Sequence, residues 1–159
     1  MIFLWGANPR ENHPIFFQHV LKGIHNGARL YVVDPRRTTT AQWGDVWLGL
    51  NVGTDIALAH AMAREIIHAN LVNDAFVRRS TIGFDAFRAS VEPFTLEYAA
   101  RETGVPADVI REAAHTFARA DRAMISRNLL AARSSASSHD AARSVSPSRT
   151  SGCVRRTYG

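Results

Sequence analysis

The sequence has little cysteine and no long apolar run, and each lack excludes a class of protein. Cys153 is the only cysteine, which excludes an internal disulfide framework and any iron–sulfur or zinc site built on several thiolates of this chain. No apolar run approaches the roughly 20 residues of a membrane span, and the opening MIFLWG lacks the basic start and the length of a secretory signal. These absences predict a soluble, cytoplasmic protein.

Two further absences concern ligands. No GxGxxG motif occurs, which counts against an ordinary nicotinamide site. The histidines are scattered, and no spacing places several of them on one metal ion, so no metal ligand is predicted. What the chain does have is a hydrophobic fraction of 46% over 159 residues, enough for the core of one ordinary domain.

The formal net charge of +5 lies in the C-terminal part of the chain. Residues 1–125 hold 13 basic and 13 acidic side chains, whereas residues 126–159 hold six arginines and one acid, Asp140. The same tail holds nine of the eleven serines and shows no apolar periodicity that would bury a face. We therefore expect a structured domain at 1–125 and a disordered Ser/Arg/Ala-rich tail at 126–159.

Two origins of this tail stay open. One is a genuine basic segment that binds nucleic acid or an acidic partner, with an affinity that falls steeply with salt. The other is an out-of-frame translation of a GC-rich gene, which the composition favours. Because the arginines are spread out and lack interleaved aromatic residues, nucleic acid is disfavoured as a partner.

The rest of the chain alternates between continuous apolar runs and segments of helical periodicity. Strands are predicted at 1–6, 28–35, 46–52 and, cut short by the tail, 122–125; helices are predicted at 13–27, 53–71, 73–81, 84–91, 95–104 and 106–121. Continuous rather than alternating apolar residues are typical of parallel strands buried on both faces. The predicted fold class is α/β: a doubly wound parallel sheet with flanking helices, incomplete at its end.

Three predicted loops fall at the carboxyl ends of these strands, where an open parallel sheet binds its ligands. Loop 6–14 has few side chains that would obstruct a pyrophosphate. Loop 34–37 supplies the Asp34 carboxylate for ribose hydroxyls or guanine amino groups, beside the charge of Arg36. In loop 51–55 the Asp55 carboxylate can pair with the amidine edge of guanine. Together the loops predict a dinucleotide site.

Each of these residues also has a plainer interpretation. Asp34 precedes a proline, as turn residues often do, and Asp55 follows Thr54 at a helix start, where N-caps are common. The three tryptophans are more typical of a core or an interface than of a stacking platform. The residues acquire a joint interpretation only as an ordered set.

That ordered set resembles a known family. Its motifs are WGANPRENHP, GARLYVVDPRRTTTAQWGDVWLGLNVGTDIALAHAM and EIIHANLVNDAFV. They are similar to the cofactor domain of molybdopterin oxidoreductases in the dimethyl sulfoxide reductase superfamily, nearest to the catalytic alpha subunits of molybdenum or tungsten formate dehydrogenases. The resemblance covers residues 1–125 and implies a Rossmann-like domain that holds one of two molybdopterin guanine dinucleotides.

The resemblance also implies roles for single residues. The first loop would lie along the pterin and pyrophosphate, Asp34 and Arg36 would hold the ribose and guanine, and residues 53–55 would close on the guanine. The candidate cofactor-binding residues are Trp5, Gly6, Ala7, Asn8, Pro9, His13, Pro14, Val33, Asp34, Pro35, Arg36, Gly53, Thr54 and Asp55. No catalytic residue is assigned within this chain.

In that family an iron–sulfur cysteine motif and the cysteine or selenocysteine that binds the metal precede this region, and a second dinucleotide domain follows it. We therefore expect a fragment, inactive alone, of an enzyme that oxidises formate to carbon dioxide and passes electrons to a redox acceptor. A nitrate reductase-like enzyme is the alternative within the family. The alternative outside it is a free-standing nucleotide-binding α/β module with a basic tail.

Overall fold

Residues 1–127 are described by the computed structural model, and they build one parallel sheet of four strands. The strands are β1 (Ile2–Trp5), β2 (Leu30–Val33), β3 (Val46–Leu48) and β4 (Met124–Arg127), in the order β3-β2-β1-β4. Every residue of β1 and β2 is buried, as expected of central parallel strands with the continuously apolar sequences IFLW and LYVV. The predicted α/β class is confirmed.

Seven helices surround the sheet within residues 1–127. They are α1 (Pro9–Asn12), α2 (Pro14–His25), α3 (Asp55–His68), α4 (Asp74–Ser80), α5 (Phe84–Val91), α6 (Leu96–Thr103) and α7 (Ala107–Arg119). A 3₁₀ turn at Ala41–Trp43 lies in the link between β2 and β3. None of the described helices has the length and apolar character needed to cross a membrane.

Helices cover both faces of the sheet, each over its own apolar core. On one face Leu4 and Val32 pack with Phe17 of α2. On the other face Phe3 packs in a cluster with Leu58 of α3 and with residues of α6 and α7. Because successive residues of a strand point to opposite faces, β1 supplies both cores. The doubly wound arrangement follows from this two-sided burial.

The third strand is shorter than predicted. It ends at Leu48, although the apolar pattern predicts a strand over 46–52. Beyond it the backbone no longer pairs with β2, because the Leu50 N–H donates to the Leu48 carbonyl at 3.1 Å and the Asn51 N–H donates to the Thr103 carbonyl at 2.8 Å. Asn51, which the sequence pattern assigned to the third strand, is thus bonded to the end of α6.

The first predicted loop contains a helix. The single turn α1 begins at Pro9, whose fixed φ suits the first helical position. The longer helix α2 begins at Pro14, directly after the junction residue His13. Only residues 6–8 of loop 6–14 are therefore irregular chain before the first helical turn.

Strand β4 extends two residues past the predicted domain boundary at 125. Its pairing with β1 sets Ser126 opposite Leu4 and Arg127 opposite Trp5. The Arg127 position therefore lies at the carboxyl end of the sheet, beside the first loop. Residues 128–159 lie outside the described part of the chain, and the predictions of disorder and of a basic binding tail remain predictions.

All four strands are parallel, but the side of β1 on which new strands are added reverses once along the chain. The chain places β2 and β3 successively on one side of β1, and then crosses through α3 to α7 to place β4 on the other side. In open parallel sheets, ligands bind outside the carboxyl ends of the strands at such a reversal. The topology thus predicts a binding crevice between the ends of β1 and β4, where Trp5 and Arg127 lie.

Candidate cofactor-binding site

The first two loops are joined where β1 and β2 end. The Gly6 N–H donates to the Val33 carbonyl oxygen at 2.7 Å. Gly6 has φ of 57°, a left-handed conformation that glycine adopts without the usual Cβ penalty. After this turn, the N–H groups of Ala7 and Asn8 have no acceptor in residues 1–127. Two adjacent backbone donors are therefore available at the carboxyl end of the central strand β1.

Asn8 is held by threonines that follow the second loop. Its Oδ1 accepts a hydrogen bond from the Thr40 hydroxyl at 2.6 Å, and it lies 3.3 Å from the Thr39 hydroxyl. The Thr39 hydroxyl has a shorter bond, 2.9 Å, to Glu11 Oε1, and its single proton favours that partner. The Thr40 hydroxyl in turn accepts from the Arg10 N–H at 3.2 Å. This polar network orients Asn8 toward the second loop.

Glu11, Thr39 and Thr40 were not singled out by the sequence. The only sequence signal for the two threonines is the run of three threonines at 38–40 after the arginines of the second loop. Thr40 is fully buried, which is uncommon for a threonine without a hydrogen-bond role. Their contribution depends on contacts between residues about 30 positions apart, and no local pattern reports such contacts.

The hydrogen bond from Thr39, with help from Asn8, holds the pKa of Glu11 below its ordinary value of 4.5. Since the folded pKa is the lower one, this interaction stabilises the fold fully above pH 4.5, and the stabilisation is lost as the pH falls through the lowered value. Thr39→Val removes the donor, so we expect the Glu11 pKa to rise toward 4.5 in a carboxyl-carbon NMR titration.

Glu92 provides an internal control in the same titration. Its pKa is also lowered, mainly by a hydrogen bond from His68 and further by Arg64. Neither contact involves the first loop, so the Glu92 midpoint should stay unchanged in the Thr39→Val variant. A Glu11 midpoint that does not move, or that moves together with Glu92, would show that the Thr39 hydroxyl does not control it.

Asp34 is the buried carboxylate of the second loop, with 6% of its surface exposed. Its Oδ1 accepts from the Arg36 N–H at 2.8 Å, which forms an Asx turn. Its backbone carbonyl accepts from the Trp47 indole N–H at 2.9 Å, and its own N–H donates to the Leu48 carbonyl at 3.3 Å. The turn interpretation of Asp34 is therefore right for Oδ1, and within residues 1–127 no bond engages Oδ2.

Positive charge follows directly after Asp34. Arg36 and Arg37 are both exposed, and so is Pro35, which lies between them and Asp34. The Arg37 guanidinium lies 5.8 Å from the centre of the Trp47 ring, in the range of a cation–π contact. Exposed guanidinium groups beside a buried carboxylate suit a ligand that carries both phosphates and hydroxyl groups.

The third loop is tied to the end of β1 by a hydrogen bond between residues 50 positions apart. The Trp5 indole N–H donates to Asp55 Oδ1 at 2.7 Å. The N-cap position of α3 belongs to Thr54, so the interpretation of Asp55 as a plain N-cap is wrong. The Thr54 hydroxyl donates to the Asn51 carbonyl at 2.7 Å instead of capping the helix. Gly53 has φ of 86°, and the space where a Cβ would lie is open.

A cavity of about 370 Å³ opens at the reversal between β1 and β4. Its lining residues are Trp5, Asp55, Ile56, Ala59, His60, Ile125 and Arg127. The Nδ1 atom of His60 is buried without a hydrogen-bond partner in residues 1–127, and its ring packs edge-on against Phe94 at 4.6 Å. Apolar walls with a few converging polar groups are typical of small-molecule sites. The crevice that the topology predicts therefore exists.

A larger cavity, about 660 Å³, lies at the opposite, amino end of the sheet. Its lining residue Glu112 is engaged on two sides: Arg29 lies 3.2 Å from one of its oxygens, and the Tyr31 hydroxyl of β2 lies 3.2 Å from the same oxygen. In parallel sheets the amino end carries no loop set aimed at a ligand. We therefore assign this cavity to the structural contact between α7 and β2.

The remaining candidates differ in their placement. Pro9 is buried at the start of α1, and Pro14 is exposed at the start of α2. His13 is exposed between them, and its side chain forms no hydrogen bond with another candidate within residues 1–127. In the same range, no three side chains of His, Cys, Asp or Glu gather as metal ligands. A role for His13 in binding rests on the family resemblance.

Comparisons with known proteins agree on one family. A family model described as molybdopterin oxidoreductase matches residues 1–146. Formate dehydrogenase H of Escherichia coli is 42% identical over 125 residues, which is 79% of this chain and 18% of that protein. The assimilatory nitrate reductase catalytic subunit of Bacillus subtilis is 34% identical over 125 residues, with the same coverage of 79% and 18%.

The solved structures give a similar result. Acetylene hydratase from Pelobacter acetylenicus matches with a TM-score of 0.73 and 35% identity, over 78% of this chain and 17% of that one. The chain thus spans less than a fifth of the length of the relatives it matches.

Proposed function

The chain belongs to the molybdopterin oxidoreductase family, and from that premise we propose that it forms one half of a molybdopterin guanine dinucleotide site in a formate dehydrogenase-like enzyme. The observation that carries the proposal is the convergence of three separate loops at the carboxyl end of the sheet. Two hydrogen bonds of 2.7 Å hold loop residues to the strand ends from which the loops leave: Gly6 to Val33, the last residue of β2, and Asp55 to Trp5, the last residue of β1. Members of this family use a molybdopterin cofactor with molybdenum or tungsten.

The residues present fit such a dinucleotide. The unpaired N–H groups of Ala7 and Asn8 suit the pyrophosphate, since adjacent backbone donors at a strand end bind anions well. The Asp34 carboxylate, with its unengaged Oδ2, suits the ribose hydroxyls. The Asp55 carboxylate faces the cavity at the β1/β4 reversal and suits the donors of the guanine base. The Arg36 guanidinium adds positive charge for the phosphates.

When bound, the cofactor supplies two-electron redox chemistry at its metal. Residues 1–127 bind and orient the nucleotide end of the cofactor. Residues 1–127 contain no cysteine, so no thiolate of this range can be the protein ligand of the metal. The family resemblance places the metal-binding cysteine before the matched region, whereas Cys153 follows it, and we therefore propose that these 159 residues do not turn over formate by themselves.

Formate is the substrate favoured by the comparisons. Identity is 42% with the formate dehydrogenase and 34% with the nitrate reductase over stretches of equal length. A nitrate reductase-like parent is the second candidate, and the 34% identity to the nitrate reductase is the observation that favours it. Both candidates share the proposed dinucleotide half-site, because that site binds the cofactor and not the substrate.

Calorimetric titration with guanosine diphosphate tests the half-site. We expect one equivalent to bind with a Kd below about 1 mM, a free energy of roughly −4 kcal/mol or better. Adenosine diphosphate, which lacks the N1–H and 2-amino donors that a carboxylate accepts, should bind at least about tenfold more weakly. Equal affinity for both, or no heat with either, would refute the proposed site.

The same preparation should show no formate-dependent reduction of an artificial dye. The expectation follows because the cofactor end that reacts would be open to water and would lack its protein ligand. Turnover above that of a metal-free control would contradict the proposal that the chain is inactive alone.

A further inference from the structure

Trp5 differs from the other tryptophans of the chain. It is 8% exposed, whereas Trp43 and Trp47 are 46% and 38% exposed. Its ring stacks on Phe3 with centroids 5.8 Å apart, so the indole plane is fixed by the core of the sheet. A buried indole N–H requires an acceptor, and this one finds the Asp55 carboxylate at 2.7 Å. Core packing therefore determines where that carboxylate points.

We infer that Trp5 is a positioning residue that sets the Asp55 carboxylate for the N1–H and 2-amino group of guanine, and that it thereby gives the site its preference for guanine over hypoxanthine. The inference rests on the proposed function, since it assumes that a guanine nucleotide binds at this edge. It goes further by assigning the choice of base to one hydrogen bond within the protein.

The Asp55 carboxylate has enough acceptor positions for the Trp5 indole N–H and for guanine together. A carboxylate offers about four acceptor positions on two oxygens, and the indole N–H occupies one of them on Oδ1 of Asp55. Guanine presents two donors side by side, whereas hypoxanthine lacks the 2-amino donor. A carboxylate held in one orientation can accept both guanine donors, while a freely rotating one must be ordered on binding at an entropic cost.

The surroundings keep this carboxylate available. Asp55 forms no ion pair within residues 1–127, although Arg127 lines the same cavity. The walls next to it are the apolar side chains of Ile56, Ala59 and Ile125. Apolar walls strengthen a hydrogen bond made to a ligand and raise the cost of leaving a donor unpaired. The neutral indole orients Asp55 without neutralising its charge.

Trp5→Phe tests the inference, because it keeps an aromatic ring against Phe3 and removes the N–H. In calorimetric titrations of the whole chain, we expect guanosine diphosphate affinity to fall by about threefold to tenfold, the cost of ordering one side chain on binding. Inosine diphosphate, which offers the carboxylate only its N1–H donor, should lose less affinity, so the ratio of the two affinities should move toward one. Trp43→Phe is the matched control and should leave both affinities and their ratio unchanged.

Two results would overturn the inference alone: an unchanged affinity ratio in Trp5→Phe, or an equal loss for both nucleotides, which is what a purely structural role predicts. Absence of guanosine diphosphate binding by the unsubstituted chain would overturn the proposed function and this inference with it.

If Trp5→Phe does not fold, the Trp5 indole N–H resonance of the unsubstituted chain decides the matter. It should shift more with guanosine than with inosine diphosphate, and equal shifts would overturn the inference.

Discussion

Asp34→Ala removes guanosine diphosphate binding at concentrations that saturate the unsubstituted chain. The carboxylate is 6% exposed and sits at the carboxyl end of β2, where a ligand would meet it in a largely dry environment. Truncating one partner of a buried, hydrogen-bonded charge costs about 2 to 5 kcal/mol, or roughly 30-fold to several thousand-fold in affinity. Calorimetry measures the loss, and circular dichroism shows whether the variant is folded.

Two variants separate the charge of Asp34 from its turn geometry. Asp34→Asn keeps an oxygen that can accept from the Arg36 N–H, so the Asx turn should persist while the charge is lost. We expect an affinity between those of the unsubstituted chain and Asp34→Ala. Asp85→Ala removes the same charge from an exposed position on α5 and should change nothing. Full binding by Asp34→Ala would remove Asp34 from the site.

Ile110→Ala is expected to destabilise the fold by about 2 to 5 kcal/mol, the range for large-to-small changes in a packed core. Ile110 is fully buried on α7, in the cluster that joins this helix to α3 and to the sheet. The loss combines the transfer free energy of the deleted methyl groups with the cavity that remains. Thermal or urea unfolding followed by circular dichroism gives the difference in free energy of unfolding.

The matched control for this change is Ile82→Ala. Ile82 is 100% exposed in the link between α4 and α5, so the same side-chain deletion removes no packing. Its effect should lie within about 0.5 kcal/mol of zero, as for most surface substitutions. Equal effects at both positions would mean that α7 does not pack on the sheet as described.

The strands were predictable where apolar character alone decides. IFLW and LYVV are continuous apolar runs too short for helices, and they became the two central strands. The run after Val46 is interrupted by Gly49 and Asn51, and it leaves the sheet at Leu48, with the Asn51 N–H donating to the Thr103 carbonyl at the end of α6. Competition between a strand and a distant partner has no local signature in the sequence.

The site also has a part that the sequence predicted and a part that it did not. The general behaviour of parallel sheets predicted that the three loops would lie at one end of the sheet, and the Gly6 to Val33 and Trp5 to Asp55 bonds hold residues of the first and third loops to the ends of β2 and β1. The Glu11 and Thr39 pair was not predicted, because it exists only once residues 28 positions apart are folded together. The sequence left Asp34 open between the ribose and the guanine, and its proposed assignment to the ribose is not fixed by spacing.

The amide NMR spectrum of the chain during a titration with guanosine diphosphate tests the central claim most directly. We predict saturable shifts concentrated at the carboxyl end of the sheet, at Gly6, Ala7, Asn8, Asp34, Arg36, Gly53 and Asp55. The amino end, around Arg29 and Glu112, should stay unchanged. Shifts confined to the amino end, or no shift at millimolar nucleotide, would contradict the claim that these loops form half of a dinucleotide site.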